Sequence, residues 1–191
     1  MSQTPQETLA ETAGDFAAEV EALSGANLAR CLQCAKCTSG CPVAGRNDIR
    51  PHELVRLVQL GMADEVLSCQ SIWQCVSCQT CITRCPQNVD IAALTDALRR
   101  LSRAQGKVAR GTTVPTFNDI FLKTIRKRGR MYEMGLMTAY KLRTGDLFSD
   151  VGKFPMMLRK GKLPLRGPRI KGKGQRKRMF ARAKAVRGDR K

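Results

Sequence analysis

Two copies of one cysteine pattern constrain this chain more than any other feature. The copies are CLQCAKCTSGCP, which begins at residue 31, and CVSCQTCITRCP, which begins at residue 75. Each has the spacing C-x2-C-x2-C-x3-C-P, which bacterial ferredoxins use to bind [4Fe-4S] clusters. Two residues between successive cysteines let a tight loop direct three sulfurs at three iron corners of one cube. The pattern therefore predicts two [4Fe-4S] clusters as the cofactors.

The fourth cysteine of each copy points away from the cube that the first three hold. In proteins with two clusters this cysteine binds the other cluster, so that the two motifs interlock. The predicted ligands are Cys31, Cys34, Cys37 and Cys85 for the first cluster, and Cys75, Cys78, Cys81 and Cys41 for the second. We predict no catalytic residue, and the chain contains neither a G-x-G-x-x-G motif nor a P-loop.

Structural zinc is the main alternative explanation for closely spaced cysteines. Zinc sites usually combine paired C-x2-C knuckles, or cysteine with histidine. Here each run has a third and a fourth cysteine, and the only histidine, His52, lies elsewhere. The spacing therefore favours iron–sulfur clusters. The ninth cysteine, Cys69, lies outside the repeat, and we interpret it as a small buried hydrophobic residue rather than a redox group.

Charge divides the chain into three zones. Residues 1–30 carry a net charge of −4, residues 31–100 carry +1, and residues 101–191 carry +21. All nine cysteines lie in the near-neutral middle zone. We expect neither a membrane-spanning helix nor a secretory signal, because no run of about 18 apolar residues occurs and the N-terminus is acidic. A cytoplasmic location follows, where cysteines serve metals or redox chemistry rather than structural disulfides.

Apolar residues recur at helical spacing through the chain, whereas the period-two pattern of strands is scarce. We predict helices over residues 6–24, 51–60, 63–67, 90–106, 115–125, 131–142, 151–158 and 175–186. The predicted fold is all-α, with an N-terminal amphipathic helix (1–27), a helical domain that holds the two clusters (28–106) and a basic helical extension and tail (107–191). Trp73 is expected to pack beside a cluster, and His52 to be a solvated or capping side chain.

Methionines are frequent in the basic extension. They fit either an ordinary core or an adaptable docking surface, and we favour the core. The residues concerned are Met131, Met134, Met137, Met156, Met157 and Met179.

The paired motifs with a helical spacer resemble the C subunit of heterodisulfide reductase. The resemblance is close over residues 28–106 and looser over residues 131–165, where MTAYKLRTGDLFSDVGKFPMMLRKGKLP looks like the downstream extension of bacterial C subunits. The C subunit is itself similar to the iron–sulfur subunits of anaerobic glycerol-3-phosphate dehydrogenase and to the C-terminal half of the iron–sulfur subunits of succinate dehydrogenase. The resemblance implies an α-helical ferredoxin domain with two [4Fe-4S] cubanes, and all eight motif cysteines carry over as ligands.

The resemblance also implies a function in electron transport. In that family the C subunit relays electrons between a flavin-bearing A subunit and a B subunit, whose CCG motifs build the clusters that reduce a disulfide. This chain has no CCG motif, so the expected protein is the relay subunit of a cytoplasmic oxidoreductase complex with A-like and B-like partners. The alternatives are a diffusible ferredoxin-type carrier and the iron–sulfur subunit of a quinone-linked dehydrogenase. The basic extension is expected to contact acidic partner subunits rather than nucleic acid or a membrane surface.

Overall fold

The computed structural model describes residues 5–145, 159 and 170–188. Regular structure within these ranges is helical throughout, which confirms the predicted all-α fold class. No helix in the described ranges combines the length and the apolar character needed to cross a membrane. Contacts divide the chain into two units, a first unit over Met1–Thr112 and a second unit over Thr113–Lys191.

In its described residues, 5–112, the first unit contains four helices of six residues or more, here called the long helices, and three helices of a single turn. The long helices are α1 (Pro5–Ser24), α3 (Pro51–Gln59), α4 (Ala63–Ser68) and α7 (Ile91–Ala104). The single turns are α2 (Lys36–Ser39), α5 (Ser71–Gln74) and α6 (Thr80–Thr83), with additional 3-10 turns at Leu28–Arg30 and Ala44–Arg46. Each long helix lies within a few residues of its predicted range, whereas the three short helices were not predicted.

Local sequence explains where α3 and α7 begin. Pro51 is the first residue of α3, a position where its fixed φ suits the helix and its missing N–H is not needed. The Glu53 carboxylate accepts a hydrogen bond from the backbone N–H of Arg50 at 2.8 Å, which is half of a capping box. Asp90 caps α7, because its carboxylate accepts a bond from the N–H of Ala93 at 2.9 Å.

The core of the first unit lies where α1, α3, α4 and α7 pack together. Val20 of α1, Val58 of α3, Leu67 of α4 and Leu98 of α7 are fully buried there. Each such side chain contributes roughly 1.5–3 kcal/mol by leaving water. The N-terminal helix therefore packs against the two helices that follow the cysteine motifs.

The second unit contains α8 (Val114–Arg128), α9 (Glu133–Thr144) and a basic helix, α10 (Lys173–Gly188). Phe117 of α8 packs edge-on against Tyr140 of α9, with ring centroids 5.8 Å apart. Ile120 and Leu136 are buried. The predicted helix over residues 151–158 lies outside the described residues.

Three methionines of the basic extension are exposed and not part of a core. Met131 and Met137 lie on the surface, and Met179 is 68% exposed, so the core interpretation is wrong for these three. Met137 lies in α9, where Leu136 is the buried residue, whereas Met131 precedes α9 and Met179 lies in the basic helix α10. Met156 and Met157 lie outside the described residues.

Candidate metal centres

The two cysteine motifs adopt the same local backbone. In each loop the residues on either side of the second cysteine have left-handed φ angles: 54° and 57° at Gln33 and Ala35, and 51° and 61° at Ser77 and Gln79. A non-glycine residue in this region costs roughly 1–2 kcal/mol. Such strain occurs in functional loops where the surrounding structure enforces it. Here it turns each loop around its exposed second cysteine.

A single helical turn then carries the third cysteine of each motif. Cys37 lies in α2 and Cys81 in α6, and these two short helices lie against each other. The fourth cysteine follows directly, with its N–H bonded to the carbonyl three residues earlier at 3.1 Å in both motifs. The repeated sequence pattern is therefore a repeated structure.

Each motif lines a cavity together with one cysteine of the other motif. One cavity is lined by Cys41, Cys75, Cys78 and Cys81, and the other by Cys31, Cys34, Cys37 and Cys85. Ile91, the first residue of α7, lines both. These are the same two groups of four that the interlocked spacing predicts. That the eight cysteines bind clusters remains a prediction.

The residues around the cavities fit iron–sulfur clusters in their chemistry. The donors are thiols, which suit soft metals and iron–sulfur centres, and the walls include the apolar side chains of Leu54, Val89 and Ile91. The N–H of Val89 donates to the sulfur of Cys85 at 3.3 Å, a type of bond that stabilises a thiolate. Within the described ranges, no three Cys, His, Asp or Glu side chains lie close enough to hold a single metal ion.

Burial and hydrogen bonding shift the pKa values of three motif thiols in different directions. Loss of solvent raises the pKa of Cys37 and of Cys81 above that of a free thiol. A hydrogen bond with Thr80 lowers the pKa of Cys78, and the two side-chain atoms lie 3.4 Å apart. Burial thus opposes ionisation of the third cysteine of each motif, and a bound cation in place of the proton would favour the thiolate there.

His52 corrects one prediction, since it is neither simply solvated nor a capping group. Its Nδ1 lies 2.7 Å from Oγ1 of Thr38, and the ring lines the cavity of Cys31, Cys34, Cys37 and Cys85. Contact between residues 14 positions apart leaves no local pattern in the sequence. The contact fixes the start of α3 against the one-turn helix that carries Cys37.

Trp73 and Cys69 are both buried. Trp73 belongs to the hydrophobic core of the first unit and is not among the residues that line the two described cavities. Burial raises the pKa of Cys69 to about 11, as the interpretation of a small buried thiol requires.

An acidic side chain that the sequence did not single out connects the two motifs. Asp48, between Cys41 and α3, accepts bonds from the N–H of Gln70 at 2.7 Å, from the N–H of Ser71 at 2.9 Å and from the Ser71 hydroxyl. Burial alone would raise the pKa of Asp48, but the bonds from Ser71 and Gln70 outweigh it and hold that pKa below its usual value. We call this group the Asp48 clamp. It attaches the exit of the first motif to α5, which leads into the second.

Comparison with known proteins gives matches over the region that carries the motifs. Residues 30–90 match a protein family described as a 4Fe-4S dicluster domain. The iron–sulfur C subunit of the CoB–CoM heterodisulfide reductase of Methanopyrus kandleri is 36% identical over 104 residues, which cover 54% of this chain and 53% of that protein. The C subunit of the H(2):CoB-CoM heterodisulfide,ferredoxin reductase of Methanothermobacter thermautotrophicus is 32% identical over 95 residues, or 50% of this chain and 51% of that protein.

A third relative shows higher identity over a shorter stretch. It is the second iron–sulfur C subunit of the CoB–CoM heterodisulfide reductase of Methanocaldococcus jannaschii, which is 39% identical over 79 residues. This stretch covers 41% of this chain and 42% of that protein. The chain spans about half the length of the curated relatives that it matches. These matches confirm the resemblance to the C subunit over about half of the chain.

Proposed function

We propose that this chain is the electron-relay iron–sulfur subunit of a cytoplasmic heterodisulfide-reductase-like complex. It passes electrons between a flavin-bearing A-like subunit and a disulfide-reducing B-like subunit, and it has no substrate site of its own. The observation that carries the proposal is the pair of cavities, each lined by four cysteines drawn from both motifs. The relatives named as iron–sulfur C subunits support it.

The eight motif cysteines would hold two [4Fe-4S] clusters in the interlocked arrangement. A cluster bound by four thiolates supplies a one-electron couple. The protein's part is to keep the thiolates in place and to limit the access of water. The left-handed loop residues fix the cysteine positions, and Leu54, Val89 and Ile91 supply apolar walls.

The second unit would hold the chain on its partner subunits. Residues 113–191 contain 23 lysines and arginines and five acidic residues, a net charge of +18, and the exposed apolar side chains of this unit include Leu122, Leu142 and Met179. A surface that combines positive charge with exposed aliphatic residues suits an acidic protein partner with apolar patches.

Anaerobic purification of the native complex, with iron analysis and electron paramagnetic resonance, tests the proposal. Two clusters require about eight irons per chain, and the relay function requires a co-purifying subunit with CCG motifs. Zinc in place of iron, or about four irons, would contradict the ligand assignment. A stable monomer that never co-purifies with A-like or B-like subunits would favour the diffusible carrier instead.

Double substitutions test the interlocked ligand sets directly. If Cys41 and Cys75 bind the same cluster, Cys41→Ser combined with Cys75→Ser removes about four irons, as either single change does. Cys41→Ser combined with Cys31→Ser then removes about eight, because both clusters lose a ligand. Cys69→Ser is the matched control and leaves the iron content unchanged. The reverse pattern in the two double variants would show that each motif binds its own cluster.

A further inference from the structure

The two helices that follow the motifs carry different residues at one equivalent position. Gln59 is the ninth residue of α3, and Arg99 is the ninth residue of α7. Each bonds the carbonyl of the residue three positions before the first cysteine of a motif. Gln59 Nε2 donates to the carbonyl of Leu28 at 2.7 Å, and Arg99 Nε donates to the carbonyl of Ile72. The same contact is made by a neutral amide in one half and by a cation in the other.

Arg99 also reaches the second motif itself. Its Nη2 donates to the carbonyl of Cys75, which lines the cavity of Cys41, Cys78 and Cys81. Its Nη1 lies 3.0 Å from the carboxylate of Asp96, and the Arg99 side chain is only 21% exposed. The planar guanidinium is therefore held in one orientation, with its charge next to the backbone of a predicted ligand.

Other charged groups near the motifs are more exposed to solvent or are engaged by other backbone groups. Lys36 and Arg84 are exposed, as is Asp48, and Asp96 is 53% exposed. Asp90 is bound to the N-terminus of α7. Solvent and salt screen exposed charges strongly. Because Arg99 is largely covered and anchored by several bonds, its charge acts on the nearby cavity with less screening.

We propose that Arg99 is a positioning residue that raises the reduction potential of the cluster at Cys41, Cys75, Cys78 and Cys81, and leaves the potential of the other cluster nearly unchanged. The proposal deepens the proposed function and depends on its two clusters. Reduction adds one electron from an external reductant to a site that is already net anionic, and no bond forms or breaks. A fixed cation beside that site stabilises the reduced form. Gln59 has no charge, so the same position in the first half gives no such stabilisation.

A redox titration of the full holo-protein, followed anaerobically by electron paramagnetic resonance with dithionite as reductant, tests the proposal. Arg99→Gln is expected to lower the equilibrium constant for reduction of the cluster at Cys41, Cys75, Cys78 and Cys81 by about tenfold, which is about 59 mV in potential for a one-electron couple. The potential of the other cluster is expected to stay unchanged. The reciprocal variant, Gln59→Arg, is expected to raise the other potential. The proposal is overturned if Arg99→Gln moves both potentials together, or neither, while the chain keeps about eight irons.

Two further variants separate charge from simple structural support. Arg99→Lys keeps the charge but loses the fork, so it should restore part of the lost potential. Asp96→Asn removes the anion that partly neutralises Arg99, so it should raise the same potential that Arg99→Gln lowers. If neither Asp96→Asn nor Gln59→Arg changed a reduction potential, the proposal would be overturned even where Arg99→Gln failed to assemble its clusters. A wild-type chain with too few irons contradicts the proposed function, whereas two clusters with unmoved potentials contradict only the assignment to Arg99.

Discussion

Removing the charge of the Asp48 clamp should weaken the connection between the two cysteine motifs. In Asp48→Asn the side chain keeps one acceptor oxygen, but its new NH2 group replaces the oxygen that accepts from Gln70. Because Oδ2 accepts from the N–H of Gln70 at 2.7 Å, at least one bond to a charged acceptor is lost and two donors are left facing each other. The remaining bonds from Ser71 become neutral.

The expected cost follows from these bonds. A hydrogen bond to a charged group contributes about 1.5–3 kcal/mol, and exposure of Asp48 reduces this, so we expect a loss of about 1–2 kcal/mol. For a unit of this size such a loss lowers the melting temperature by several degrees. The pKa of Asp48 is held below its usual value. The stabilisation is therefore fully present above about pH 4 and disappears only as the pH falls through the lower folded-state pKa.

Anaerobic urea unfolding of the holo-protein measures the effect, and Asp64→Asn provides the matched control. Asp64 is 91% exposed and pairs with Lys107 at 2.6 Å, a surface ion pair that contributes about 0–1 kcal/mol. Asp48→Asn should lower the free energy of unfolding more than Asp64→Asn does, by an amount that is constant between about pH 6 and 8. Equal effects of the two substitutions, or a clear change across that pH range, would refute the clamp.

Three further predictions concern other parts of the chain. Leu98→Ala should lower the free energy of urea unfolding by about 2–5 kcal/mol, because Leu98 is fully buried. Leu142→Ala is the control, since this side chain is 66% exposed, and it should lower that free energy by under about 0.5 kcal/mol. Similar losses in the two variants would contradict the packing of α7. In the holo-protein at about pH 8, Cys69 should resist alkylation by iodoacetamide until unfolding, since a pKa of about 11 leaves about one thiol in a thousand ionised; rapid labelling, read by mass spectrometry, would show that the thiol is accessible. Gly129→Ala should destabilise the second unit by about 1 kcal/mol, measured by calorimetry. Gly129 ends α8 with a φ of 82°, and a Cβ there would lie 2.9 Å from the Arg176 side chain. A more stable variant would contradict this helix end.

The long helices and the cysteine groups could be predicted because their signals are local. Helical periodicity over nine or more residues, together with Pro51 and Asp90 at helix starts, placed α3 and α7. The spacing of the cysteines predicted the two groups of four that line the cavities. The helices of a single turn, α2, α5 and α6, could not be predicted in this way, since four residues span only about one period of 3.6 residues and the apolar pattern never repeats.

The contacts between distant segments were also beyond sequence reasoning. Arg99 bonds carbonyls 24 and 27 residues away, and Gln59 bonds a carbonyl 31 residues away. A single sequence carries no local pattern that indicates contacts over such separations. One signal was available, because aligning α3 with α7 on their first residues puts Gln59 and Arg99 at the same position. Comparing the two halves of the chain would have drawn attention to this difference in charge.

Ile91 gives the two cavities a common wall. Unpaired electrons shift the magnetic resonances of nearby nuclei, so a carbon-13 label in one methyl group of Ile91 would sense both sites at once. In a holo-protein reduced in steps, that one methyl signal would move first with one cluster and then with the other. The signal of a single side chain would thus report the order in which the two clusters are reduced, in the intact chain and without a change to any ligand.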